Sequence, residues 1–95
     1  MIIGRVIGTV VSNVKDSKYH GYKLLVIKEM NVYGGYEKGF YIAVDLIGAG
    51  IDEVVMLVTG AAARGSIETN DKGIDAVVTA KIEKVLFSDK EITLK

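Results

Sequence analysis

Residues 2–14 alternate. The even positions Ile2, Gly4, Val6, Gly8, Val10, Ser12 and Val14 are small or apolar, and the odd positions carry Arg5, Thr9 and Asn13. A period of two predicts one long, half-buried strand, with Gly4 and Gly8 on its inward face. Glycine weakens a strand but permits the tight bend that coiling around a small barrel requires. Residues 15–22 (KDSKYHGY) are polar and turn-like, and residues 23–30 (KLLVIKEM) form a second strand. Residues 31–39 (NVYGGYEKG) read as a loop. Residues 40–47 and 54–59 are further strands, joined by the glycine-bearing turn 48–53. Residues 60–68 contain helix-favouring alanines interrupted by Gly65, which predicts at most one short helical turn. Asn70-Asp71-Lys72-Gly73 signals a turn, residues 76–87 a last long strand, and Ser88-Asp89-Lys90 a turn into the tail 91–95. Five main strands, one helical turn and a closing tail predict an all-β fold, a small OB-like Greek-key barrel.

Composition supports that class, because Val and Ile supply 24 residues while Pro is absent. With 95 residues and no repeat, low-complexity stretch or linker, residues 1–95 are expected to form one domain. A chain of this size buries about 64% of its surface, enough for one modest core but leaving little interior for an enclosed active site. Twelve basic residues balance twelve acidic ones. Neutrality removes both the electrostatic footprint of a general nucleic-acid or anionic-membrane binder and the repulsion that keeps small proteins apart. Self-association is therefore the first partner to consider. The absence of Cys excludes disulfides, thiolate metal sites and thiol catalysis, and suits a reducing cytosol. No basic n-region precedes the first apolar stretch, and no apolar run approaches the ~20 residues of a membrane span. A soluble, cytoplasmic protein is expected.

Candidate chemistry is sparse. Gly48-Ala49-Gly50 begins like a dinucleotide fingerprint, but no third Gly follows at the required offset and the next segment is a strand, so a tight turn explains it better. The segment from Gly60 to Gly65 lacks the Lys-Ser/Thr of a phosphate loop, although Arg64 beside free backbone N–H groups could hold an anion or a carboxylate. His20, the single histidine, stands in a polar stretch with no metal-ligand partner nearby. Tyr19, Tyr22, Tyr33, Tyr36 and Tyr41 cluster in the first half among lysines. Such rings stack nucleic-acid bases or form a subunit interface, and zero net charge favours the interface. Asp45, Asp52, Glu53 and Asp75 sit at strand ends and turns, where two close carboxylates could bind a cation or act as an acid-base pair, but where Asp more often caps backbone N–H groups. No catalytic set, cofactor or metal is expected.

Taken in order, Gly4-Arg5-Val6-x-Gly8-x-Val10, Gly21-x-Lys23-Leu24-Leu25-Val26, Ala43-Val44-Asp45-x-x-Gly48-Ala49-Gly50-x-x-Glu53-Val54, Gly60-x-x-Ala63-Arg64 and Asp75-Ala76-Val77-Val78 run end to end along the chain. Together they resemble the EutN/CcmL family of pentameric vertex proteins of bacterial microcompartment shells. The resemblance implies an OB-like barrel, a cyclic homopentamer, hexameric shell proteins as neighbours, and a structural role without catalysis, nucleic acid or membrane. It also implies that Gly48, Ala49 and Gly50 line an opening at the five-fold axis. By the same resemblance, Gly60, Ala63, Arg64, Ile92 and Leu94 lie near neighbouring subunits. The sequence departs from the family pattern at Asp52, where Gly is common, at Ala61-Ala62, where two Ser are common, and before Asp75, where a usual Pro is missing. The alternatives from other classes are an OB-fold module for single-stranded nucleic acid and a small-molecule-binding or enzyme domain using Arg64 and the nearby glycines.

Overall fold

The computed structural model describes residues 1–11, 23–60 and 76–94. Within them lie seven strands: β1 Ile2–Thr9, β2 Lys23–Met30, β3 Tyr36–Asp45, β4 Val54–Thr59, β5 Ala76–Lys81, β6 Lys84–Leu86 and β7 Glu91–Thr93. The first five close a barrel in the order β1-β2-β3-β5-β4, and β6 pairs with β7 in a separate two-stranded sheet. Pairing is antiparallel except between β3 and β5, which meet in parallel at Val44↔Val77 and Asp45↔Val78. This is the five-stranded all-β barrel expected from the sequence. The expected helical turn at 60–68 falls, beyond Gly60, outside the described residues.

Alternation decides which side chains fill the barrel. Val6, Leu25, Ile27, Ala43, Ala49, Val55, Leu57 and Val78 are all fully or almost fully buried in one cluster. Cutting one of the larger of them to Ala would cost about 2–5 kcal/mol. Gly4 belongs to the same inward face, and a Cβ there would collide with Ile27 Cγ2 and lie 2.7 Å from the Lys28 carbonyl oxygen. β1 and β2 can approach at that point only without a side chain.

Four expectations need correction. β1 ends at Thr9, with one further ladder bond from the Val10 N–H to the Leu24 carbonyl at 2.9 Å; residues 12–14 lie outside the description. A bulge between Val6 and Gly8 also breaks the alternation, so that Gly8 stands opposite Val26 on the outer face and not inward. β3 begins at Tyr36 rather than residue 40, because Asn31 closes a short turn: its Oδ1 accepts from the N–H groups of Tyr33 (2.9 Å) and Gly35 (3.2 Å), and Gly34 takes φ +91°. The long strand 76–87 is two strands. At Ile82 the chain leaves the barrel, and β6 turns back through residues 87–90 to pair with β7. This hairpin covers a second apolar cluster of Met30, Val54 and Leu94, with Ile3, Ile82, Val85 and Ile92 around it.

Candidate functional site

The turn 45–53 links β3 to β4 and holds the glycine block singled out in the sequence. Asp45 opens it. Its carboxylate, 1% exposed, accepts at Oδ1 from the N–H groups of Ile47 and Gly48, each at 3.1 Å. An Asp that satisfies the N–H groups two and three residues on stops the strand and starts a turn. Lys23, at the start of β2, lies 3.9 Å from Asp45 Oδ2 and donates from Nζ to the Ala49 carbonyl at 3.0 Å. At the far end, Glu53 Oε1 accepts from the Gly50 N–H at 2.5 Å while its other oxygen pairs with Lys81 at 3.2 Å. The Gly50 N–H, then Lys81, hold the Glu53 carboxyl below its ordinary value.

Of the three residues expected at an opening, Gly48 is exposed, with φ +77° and nothing within 4 Å of where a Cβ would stand. Gly50 is half-buried. Ala49 is fully buried in the core of its own barrel, so its methyl group anchors the turn and faces no solvent. Asp52 takes φ +71°. Gly adopts that left-handed backbone freely, and Asp tolerates it better than branched residues.

Arg5 is the residue that sequence reasoning missed. Its guanidinium donates to the Asp52 carbonyl (2.6 Å), the Tyr36 hydroxyl (2.8 Å) and the Leu94 carbonyl (3.2 Å). One side chain thus ties the turn, the start of β3 and the C-terminal segment to β1. Only a planar group with five donors does this. The available signal was scarcity, because Arg5 and Arg64 are the chain's two arginines.

Among the expected interface residues, Gly60 is exposed with φ +62°. Ile92 is half-buried and Leu94 is 3% exposed, both packed under their own hairpin. Ala63, Arg64, His20, Tyr19, Tyr22 and Asp75 lie outside the described residues. A cleft of about 190 Å³ is lined by Asp52, Glu53, Val54, Lys81, Ile82 and Glu83. Typical small-molecule sites have volumes of about 300–1,000 Å³. Among the described residues no group of three His, Cys, Asp or Glu side chains could hold a metal, and no helix is long and apolar enough to cross a membrane.

Comparison with known proteins agrees from end to end. The carboxysome shell vertex protein CcmL of Thermosynechococcus vestitus is 42% identical over 85 residues, covering 90% of this chain and 86% of that protein. The solved CcmL of a Nostoc species superposes with a TM-score of 0.92 at 36% identity, covering all of both chains. GrpN, a pentameric microcompartment shell protein of Rhodospirillum rubrum, gives 0.81 at 34% identity over 92% of this chain and 99% of its own. These relatives lend the nucleic-acid alternative no support. A family model described as ethanolamine utilisation protein EutN/carboxysome matches residues 1–83, and the chain belongs to the EutN/CcmL family.

Proposed function

We propose that the chain works as a closed ring of five barrels capping a vertex of a bacterial microcompartment shell in the cytoplasm, as a structural plate and not as a catalyst. The carrying observation is the full-length likeness to shell vertex proteins, one of them solved as a pentameric shell protein. Around a five-fold axis each barrel meets its neighbour through two different faces, and the ring closes because the rotation per subunit divides the circle. The turn 45–53 suits the axis. Asp45, Lys23, Glu53 and the buried Ala49 hold it in shape, and the exposed Gly48 carries no side chain, so five copies can converge closely at that corner. The opening is lined by Gly48 and the backbone of Gly50, with Ala49 as their seat. Gly60, Ala63, Arg64 and Ile92 lie towards neighbouring subunits, while Leu94 acts through the hairpin it fixes. The outer rim meets hexameric shell proteins.

Native mass spectrometry tests the ring. Five copies of the 10.3 kDa chain give about 51.5 kDa, as one discrete species and no ladder. A monomer across micromolar concentrations would refute it.

A further inference from the structure

We infer that the outer face of β1, β2 and β3, centred on Phe40 and Ile42 with the bare Gly8 beside them, is a surface on which the next copy of this chain docks. The inference rests on the pentamer proposed above and names one of its two contact faces.

The outward positions of β3 are Tyr36, Lys38, Phe40 and Ile42, and on a sheet face bathed in water they would be polar. Three of the four are large and apolar. Tyr36 is 55% exposed, Phe40 59% and Ile42 55%. The row continues across the sheet, since Ile42 pairs with Val26 and Val26 with Gly8. At the β1 bulge Ile7 is a further exposed side chain, at 46%. Lys28, opposite Phe40, lays its ammonium 4.0 Å from the centroid of that ring and supplies a charged rim.

Taking aromatic side chains at 150–250 Å² each, the exposed parts of Ile7, Tyr36, Phe40 and Ile42 amount to about 400 Å². That is as much as the largest patch of a typical monomer, and about half of the ~800 Å² that one partner contributes to a standard interface. Permanent homo-oligomers have the more apolar contacts, and a ring plate must hold permanently.

Gly8 gives an independent indication. A Cβ there would meet only Val26 Cβ and Cγ2, at 3.8 and 3.9 Å, which is ordinary contact, and its φ is not among the positive ones. The barrel therefore has no need of glycine at position 8, in contrast to position 4. A bare patch of backbone beside an exposed apolar row lets another surface close onto the sheet.

The test compares the full-length wild type with Phe40→Glu, Ile42→Lys and Gly8→Val by native mass spectrometry and far-ultraviolet circular dichroism. Leu86→Glu serves as control, at an apolar residue of β6 that is at least as exposed. The three variants should keep the β spectrum and lose the ring, with dissociation on dilution shifted by at least about tenfold in concentration. The control should retain the ring. Hydroxyl-radical footprinting of the wild-type ring adds a reading independent of any variant's folding: Phe40 should be protected relative to Leu86 by about fivefold or more. Intact rings in the Phe40→Glu and Gly8→Val variants, or an unprotected Phe40, would overturn the inference while leaving the pentamer standing. Rings that persist but no longer join hexameric shell proteins would assign the face to that contact and equally overturn it. A monomeric wild type would overturn the pentamer and this inference with it.

Discussion

Replacing Arg5 by Ala removes three hydrogen bonds that reach the turn 45–53, the start of β3 and the C-terminal segment. The bonds to the Tyr36 hydroxyl and the Asp52 carbonyl are exposed, and water replaces them at a loss of about 0.5 kcal/mol each. The bond to the Leu94 carbonyl is half-buried, and leaving that acceptor unpaired costs about 1–2 kcal/mol. The sum is about 2–3 kcal/mol, and the last part of it falls on the C-terminal segment. Leu94 is otherwise held by its own N–H donating to the Glu83 carbonyl at 2.8 Å and by the apolar cluster under the hairpin. Local opening there should become easier, and hydrogen exchange at the Leu94 amide should speed up about 5–30-fold. The amides of Leu25 and Ile27 in the barrel should change far less. Arg5→Lys should behave nearly as badly, because an ammonium cannot span the three acceptors. Protein concentration must be held fixed, since assembly itself stabilises the folded chain. Unchanged exchange at Leu94 in Arg5→Ala, or full protection in Arg5→Lys, would refute the clamp.

At position 52 the left-handed backbone (φ +71°) sets the order of variants: Asp52→Gly should match or exceed wild-type stability, and Asp52→Val should fall below it by about 1–2 kcal/mol in denaturant titration. Ala49→Phe should destabilise each barrel by about 1–3 kcal/mol or more through overpacking, visible as a lowered melting temperature even in dissociated subunits. A change confined to ring geometry would show that the methyl group faces the axis after all. Glu53 has a folded-state pKa below its ordinary 4.5, so its contribution is present above that value and is lost as pH falls through the lower folded value. Glu53→Gln should accordingly flatten the acid limb of a stability-versus-pH curve below about pH 4.5, and an unchanged limb would count against the Gly50 and Lys81 contacts.

Much of the barrel was legible because apolar runs bounded by turn residues mark the strands: β2 and β4 run over the expected residues, and five such runs supply the five strands that close the barrel. The breaks were not legible. Residues 76–87 keep an apolar pattern straight through the point where Ile82 turns aside, because Ile82 and Val85 are half-buried against a second cluster rather than inside the barrel. Similarly, a bulge of one residue moved Gly8 to the outer face, and nothing in the local pattern of β1 announces it. The candidate turn was recognisable from Gly48, Ala49 and Gly50, yet which of them meets solvent depended on tertiary packing. Ala49 belongs to the same buried cluster as Val6 and Leu25, far away in sequence. The Arg5 clamp joins residues 31, 47 and 89 positions apart, a separation that spacing arguments cannot see.

The order β1-β2-β3-β5-β4 also sets a timetable for synthesis. β1, β2 and β3 pair with their sequence neighbours, so that meander can form as soon as residue 45 has left the ribosome. Closure waits for β4 to reach back to β1 and for β5 to join it to β3. Until then β1 and the end of β3 stand as unpaired edges, open to strand addition from other nascent chains. A polypeptide whose purpose is to meet copies of itself thus passes through a stage at which meeting them is premature, and the speed of barrel closure becomes part of what limits its yield.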